Sequence, residues 1–349
     1  MVFCLAVTPI FADLISVQLP QDTPSGFFYD VFYFGQTTSN ALSKYSITGQ
    51  KFWTVTPASV PIHDTQIAFN RLGFLDASGF IECRDTVFGI PLWRSEQGNF
   101  KKLLFQYPIT YALSQSGDIT AFDFNSGVVL YSGSIAMASG PITDILAGSN
   151  GEVIACTRSG IFQSDQELSK WTMLASTLPT GYRWIHRDGQ SIFIASGNIL
   201  AMTATQSIRP LLAMGLNSSS RHFDSGRLIA LTPSSSTGTE WIISYPYLIE
   251  IAISFSLARI VDITTKETVL EWKEIDPDRS WRSVWWDNGL LAVVDQNQTL
   301  TVWDGQTRRT LGSVTWPDSD PPVGMIYTHD VLSFVSRTKI AYAFSRSPK

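Results

Sequence analysis

The chain has 349 residues, 44% hydrophobic and 12% aromatic, which is ample apolar surface but more chain than one compact core usually holds. Its formal charge of −5 comes from scattered acids and bases, and it has no basic stripe interleaved with aromatics, the footprint of nucleic-acid binding, so no nucleic-acid partner is expected. Cys4, Cys83 and Cys156 lie far apart in apolar contexts, which fits neither a disulfide framework nor a zinc site; they read as buried free thiols of a reducing, intracellular compartment, cytoplasmic or nuclear.

In chain order the elements are short and extended. Residues 1–16, MVFCLAVTPIFADLIS, are apolar but lack a positively charged start and contain Pro9, so they read as chain leading into a strand at 14–19 rather than a cleaved signal. A secreted protein is the second reading, and only there would the sequons at Asn217 and Asn297 matter. Residues 27–34, FFYDVFYF, place an aromatic pair, an Asp-containing turn and an apolar run at the head of a first unit ending near Thr56. A second unit spans 67–93, with turns at 76–79 and 85–89. The third is the clearest: strands at 109–113, 119–122 and 128–131 alternate with turns at 115–117 and 123–127. Further units cover 145–174 and 183–212, and another ends near Lys273. The apolar segment 241–258 is interrupted by Pro246 and Glu250 and rich in β-branched residues, so it reads as two buried strands and no membrane span is expected. Residues 284–316 form a four-strand meander with the tight Asn288-Gly289 turn. Strands at 325–327, 331–335 and 339–344 then lack a fourth.

The large residue after the third turn of each unit recurs as Trp53, Trp93, Tyr131, Trp171, Leu211, Trp272 and Leu311, at intervals of 40, 38, 40, 40, 61 and 39 residues. The long interval holds PSSSTGT, so residues 232–240 read as a loop inserted in the sixth unit. Four short strands per unit of about 40 residues define propeller blades. The expected fold is an all-β propeller of about eight four-stranded blades, one domain over 1–349, with the orphan strand at 14–19 completing the last blade and removing the exposed edges of an open ring. Seven blades, with the first residues packed elsewhere, is the second choice.

Short motifs carry resemblances. Residues 121–127, AFDFNSG, followed by Tyr131, and Thr48-Gly49 followed by Trp53, resemble the tryptophan-docking repeat of quinoprotein-like propellers, which implies that Asp, Thr-Gly and Trp lock neighbouring blades. Residues 300–304, LTVWD, resemble a WD40 strand end, and Ser164-Asp165 with Trp171 is similar to the Asp-box of sialidase-like propellers, although the expected glycine is missing. These likenesses imply a superfamily and carry over no activity, because function sits in sites grafted on the fold. The chain has no adjacent cysteine pair such as quinoprotein enzymes often place over their cofactor, no assignable arginine triad with a tyrosine nucleophile, and one Trp-Asp pair in register, Trp303-Asp304.

His63, His186, His222 and His329 each precede an acid by one or two residues, namely Asp64, Asp188, Asp224 and Asp330, and each is expected near the end of an innermost strand, at one mouth of a central channel. Imidazoles converging there could bind a divalent cation or move protons. A His-Asp step also caps a hairpin locally, and this simpler reading is favoured, so no metal and no cofactor is assigned. Asp276-Pro277-Asp278 and Asp318-Ser319-Asp320 read as solvated loop acids. Arg279, Trp281, Arg282 and Trp285 form the densest aromatic–cation cluster and are the candidates for partner contact. Two readings follow. The first is a non-enzymatic interaction propeller, a scaffold, adaptor or complex subunit with a protein partner. The alternative is a small-molecule propeller, a hydrolase, lyase, cyclase or lectin-like binder acting at the channel mouth; whether the chain is an enzyme is left open by the residues.

Overall fold

The structure, a computed structural model, describes residues 15–20, 25–37, 41–56, 63–135, 140–147, 152–175, 182–213 and 239–344, excepting 189–190, 197–198, 205–206, 245–246, 253–256, 263–264, 266, 275–280, 288–289, 305–308, 317–319, 321 and 323. The loop expected at 232–240 falls outside these residues except for its last two, which begin a strand.

β1 is Ile15–Gln18. Blade one follows with β2 (Ser25–Tyr29), β3 (Phe32–Gln36), β4 (Leu42–Ser46) and β5 (Lys51–Val55). Blade two comprises β6 (His63–Ala68), β7 (Arg71–Leu75), β8 (Ile81–Asp85) and β9 (Pro91–Arg94). Blade three comprises β10 (Phe100–Leu104), β11 (Ile109–Ser114), β12 (Ile119–Asp123) and β13 (Val129–Gly133). Blade four has β14 (Asp144–Ala147), β15 (Val153–Thr157), β16 (Gly160–Ser164) and β17 (Trp171–Ala175). Blade five has β18 (Tyr182–Asp188), β19 (Ser191–Ser196), β20 (Ile199–Ala204) and β21 (Ser207–Ala213). Blade six has β22 (Thr239–Ser244), β23 (Tyr247–Ala252), β24 (Leu257–Asp262) and β25 (Thr268–Lys273). Blade seven has β26 (Trp281–Asp287), β27 (Leu290–Asp295), β28 (Thr299–Asp304) and β29 (Thr310–Thr315). β30 (Gly324–Thr328), β31 (Val331–Val335) and β32 (Lys339–Phe344) complete the series.

Among the described residues these strands make eight four-stranded antiparallel sheets. Seven are simple meanders. The eighth runs β1-β32-β31-β30, with Ile15 opposite Tyr342 and Gln18 opposite Lys339, so the orphan strand joins the last three as the sequence predicts. All seven marker residues fall on the fourth strand of their blades. The segment 241–258 is the hairpin β22–β23 and the start of β24, and no helix among the described residues is long and apolar enough to cross a membrane.

The chain divides into two compact units, Met1–Phe52 with Phe223–Lys349, and Trp53–His222. In each, the core lies between successive blades. In the first unit one cluster joins blades seven and eight through Ala292, Val302, Trp316, Phe334 and Ala341, and another joins β1, β30–β32 and blade one through Tyr33, Tyr45, Ile326 and Ile340. In the second unit, clusters join blade two to three (Cys83, Trp93, Phe105, Phe122) and three to four (Tyr111, Ile119, Ala155, Phe162). Such quasi-repeating cores arise because one meander cannot bury both of its faces alone.

Tight turns set the registers. Phe69-Asn70 and His329-Asp330 have φ of 46°, 59°, 48° and 60°, the left-handed pair of a type I′ hairpin whose twist matches the flanking strands. Between the third and fourth strands, Asp85 accepts from the amides of Val87 and Phe88 at 2.8 and 2.7 Å, and Asp123 accepts from those of Asn125 and Ser126 at 3.1 and 2.7 Å. Both turns close on a left-handed glycine, Gly89 (φ 73°) and Gly127 (φ 71°).

Candidate interaction surface

Blade three shows best how the second unit is held and where it is left open. On its blade-two side, Trp93 of β9 stacks against Gly127, where an added Cβ would come 2.5 Å from the indole. The same indole donates its Nε1–H to the Phe124 carbonyl at 3.0 Å. Trp53 repeats the pattern within the second unit, with Gly89 beneath it and Nε1–H donated to the Thr86 carbonyl at 3.1 Å. Asp, turn glycine and tryptophan thus form the lock that the tryptophan-docking likeness implies. Across the first strands, Gln66 donates to the Leu103 carbonyl at 2.5 Å and accepts from the Phe105 amide at 2.9 Å. In the first unit, Gly49 (φ 87°) faces Val17 of β1 in the same relation, where an added Cβ would come 2.7 Å from the Val17 Cβ, so β1 occupies the docking place with a smaller side chain.

The blade-four side of blade three is built differently. The marker is Tyr131, and the following turn, residues 165–170, has Ser169 where its predecessors have glycine. Asp165 still caps the turn, accepting from the Ser169 hydroxyl at 2.6 Å and amide at 2.7 Å, which holds its carboxyl below the ordinary range. The left-handed residue is now Leu168 (φ 57°), whose side chain is buried and packs toward Gly133. The Gln166 carbonyl, equivalent to the one that receives an indole N–H in the two locks, accepts Tyr111 Oη–H at 3.1 Å instead. Burial, with minor help from the Asp165 charge, pushes the Tyr111 phenol up to about 12, so it remains a donor at any physiological pH. On the first strands the buried pair Lys102–Asp144 and a Lys101 contact with the Ile142 carbonyl at 3.3 Å hold the blades. Tyr131 is displaced to the surface at 36% exposure, and a cleft of about 410 Å³ opens between it, Ile109 and the 165–170 turn.

Apolar side chains gather on the neighbouring turns. Phe69 is 73% exposed, and its ring lies 5.0 Å from Tyr107 and 6.4 Å from Phe124. Arg71 covers the other side of Phe124 at 5.0 Å and donates to the Phe124 and Asn125 carbonyls at 3.0 and 3.1 Å, tying the blade-two hairpin to the blade-three turn. Val87, Phe88 and Ile90 in the blade-two turn, and Val128, Val129 and Leu130 at the start of β13, are exposed. Sequence reasoning missed this surface. The signal was present: Val87-Phe88 stand inside a turn marked by Asp85 and Gly89, where polar residues are the norm, and Phe69 stands where a I′ turn favours Asn, Asp or Gly.

The residues singled out from the sequence are placed as follows. His63 is the first residue of β6, opposite Leu75, whereas His186 lies two residues before the end of β18, opposite Phe193, and His329 occupies the β30–β31 turn itself. The three described histidines therefore differ in register along their blades, because β6 begins six residues before its turn and carries a bulge after His63. His329 and Asp330 are exposed; His329 Nδ1 pairs with the Thr328 hydroxyl at 2.9 Å, and Tyr327 Oη–H reaches Asp330 at 3.4 Å, the local bonding of a hairpin cap. Asp64 lies in β6 and Asp188 ends β18, while His222, Asp224 and Arg279 fall outside the described residues. Trp281 is 6% exposed and so is packed rather than on a reachable surface; Arg282 is half-buried, and Trp285 lies farther along β26. Among the described residues no group of three or more His, Cys, Asp and Glu could hold a metal ion. Cys83 and Cys156 are buried free thiols as expected, and burial pushes Cys83 up to about 12. Asp320 accepts from the Thr338 amide and hydroxyl at 3.0 and 2.7 Å and offers its carbonyl to Trp316 Nε1–H at 2.9 Å, so this acid is structural.

Successive four-stranded meanders with locked turns define the class, a β-propeller. No family model matches the chain, and no curated protein matches its sequence. Solved structures match in fold: the C-terminal WD40 domain of Sif2 has a TM-score of 0.65 at 9% identity, covering 98% of this chain and 99% of its own. BamB from Moraxella catarrhalis has a TM-score of 0.60 at 15% identity, covering 97% and 100%, and the computationally designed Ika8 protein has 0.64 at 10%, covering 94% and 97%. The chain has the fold of a β-propeller, and these likenesses are ones of fold.

Proposed function

We propose that this protein is a non-enzymatic interaction propeller, a scaffold or complex subunit that receives a protein partner on the turns of blades two and three. The observation that carries the reading is Phe69. A bulky residue at φ 46° is uncommon and costs roughly 1–3 kcal/mol of backbone strain. The same residue leaves 73% of its surface in water. Neither local turn chemistry nor the core accounts for a strained, exposed aromatic; a partner that buries it does. Its neighbours Tyr107 and Phe88 are of the aromatic type that dominates interface energetics. The propeller neighbours support a scaffold at the level of fold.

The test is affinity capture from the native cell extract with wild type, Phe69→Gly and Phe88→Glu as baits, read by quantitative mass spectrometry beside thermal melting. Phe69→Gly relieves the left-handed strain, so its melting temperature is expected to match or exceed wild type while a stoichiometric partner is lost. A partner set identical across the three baits, each folded, sinks the proposal.

A further inference from the structure

We infer that β13 is a docking edge for an extended segment of the partner, which adds to the blade-three sheet as a fifth strand and seats an apolar side chain in the cleft beside Tyr131. This rests on the interaction reading above and names the form of the partner.

Three features support it. β13 ends the sheet order β10-β11-β12-β13, so among the described residues one side of its main chain has no strand beside it. Sheet edges are normally guarded by charge or proline. The outer strands β5, β9, β21 and β25 carry Lys51, Pro91 and Arg94, Arg209 and Pro210, and Glu271 and Lys273, respectively, whereas β1, β17 and β29 have no such guard. β13, with the sequence VLYSG, carries neither, and Val128, Val129 and Leu130 are 60%, 55% and 40% exposed. Leu130 sits at a bulge, but Tyr131 and Ser132 beyond it are consecutive and both exposed, so both faces of the strand are open, because successive side chains point to opposite faces. An added strand would therefore gain main-chain hydrogen bonds from the edge and apolar contact on either face.

The second feature is the contrast with the preceding blade. In β9 the equivalent tryptophan is buried at 8% exposure and fills its junction, whereas Tyr131 leaves about 410 Å³ open. A cleft flanking an open edge gives an incoming strand a place for one anchoring side chain, which is how such complexes achieve specificity. The third feature is charge. Asp165 and the exposed Glu167 line the cleft, Asp123 stands at the head of the strand, and Lys170 is the one base lining the cleft among the described residues. The complementary segment carries a basic residue near its apolar anchor.

The probe is a fluorescein-labelled nine-residue peptide of alternating threonine and valine with a central tryptophan and a lysine at each end. Its control is the same peptide N-methylated at alternate residues, which cannot pair as a strand. Fluorescence anisotropy and amide hydrogen exchange are measured on the full chain. The expected result is saturable binding that slows exchange within 128–133 by about tenfold or more. N-methylation and the exposed-site variant Val129→Lys each weaken binding by about tenfold or more, and Glu167→Lys weakens it by a few-fold, an effect that shrinks in high salt. Absence of binding, binding without slowed exchange in β13, or affinity unchanged by both Val129→Lys and N-methylation overturns the inference. None of these outcomes bears on partner capture through Phe69, so the edge inference can fail while the interaction reading stands.

Discussion

The two sides of blade three solve the same packing problem in opposite ways. Toward blade two the junction is sealed at its outer end by Trp93 on Gly127, and the first strands are joined by the neutral Gln66. Toward blade four the first strands are joined by the buried Lys102–Asp144 pair and the middle by Tyr111, while the outer end is left open around Tyr131. The difference shows that the tryptophan lock is one of several ways to hold adjacent blades. A repeat can surrender it where the inner contacts are strong, and the surrendered site becomes surface.

The sharpest way to break this comparison is to remove the two markers. Trp93→Ala deletes a buried indole, its stacking on Gly127 and a buried hydrogen bond, and is expected to destabilise by about 3–5 kcal/mol. Tyr131→Ala, at the equivalent place in the next blade, is expected to cost less than about 1 kcal/mol. Urea unfolding of the two variants checks this, and comparable losses would mean that Tyr131 is as much a lock as Trp93. Gly127→Val adds the complement: it forces a β-branched residue to φ 71° with its Cβ against the indole, for a loss of about 2–5 kcal/mol. Ser169→Val, four residues after the corresponding capping acid, meets no indole and removes one exposed hydrogen bond to Asp165, for a smaller loss of about 0.5–1 kcal/mol.

The inner contacts should show the reverse asymmetry. Asp144→Ala leaves the Lys102 ammonium, 14% exposed, without its carboxylate, and is expected to cost about 3 kcal/mol. Gln66→Ala removes neutral bonds to a carbonyl and an amide and is expected to cost about 1–2 kcal/mol. A larger loss for Gln66→Ala than for Asp144→Ala would show that the charged pair is not what compensates for the missing lock.

The architecture could be read from the chain because it rests on local chemistry. Turn pairs such as Asp123 with Gly127, alternating apolar strands and a spacing near 40 residues are written in consecutive residues, and even the pairing of β1 with β32 followed from counting strands against an unfilled blade. The surface could not be read in the same way, because exposure depends on what a neighbouring blade fails to cover. Tyr131 and Trp93 occupy the same repeat position, yet Trp93 is buried against Gly127 whereas Tyr131 is exposed beside a turn that carries Ser169 in place of glycine. The histidines show a related point: their proximity to acids suggested a common level, but for His63 and His186 strand length and the β6 bulge decide how far each lies from its turn, and His329 makes the local bonds of the favoured cap reading. The tryptophan–arginine cluster was conspicuous in the sequence for side chains such as Trp281 that turn out to be packing.

The smallest expected effect tests what the two junctions share. Asp123 and Asp165 both cap their turns, and hydrogen bonds from the hydroxyls of Ser126 and Ser169, respectively, are the main cause holding their carboxyls below the ordinary range. As pH falls, the unfolded chain takes up these protons first, so the stabilisation present above the ordinary carboxylate value is lost as pH drops through the lower folded value. Asp123→Asn and Asp165→Asn remove that titration at one junction each. Thermal melting between about pH 5 and pH 2 is expected to fall less steeply in either variant than in wild type, by a similar amount in both, because each acid meets its own turn and the lock lies outside it. A slope that changes for Asp123→Asn alone would tie the carboxylate to the Trp93–Gly127 contact, and the cap and the lock would then have to be treated as one device.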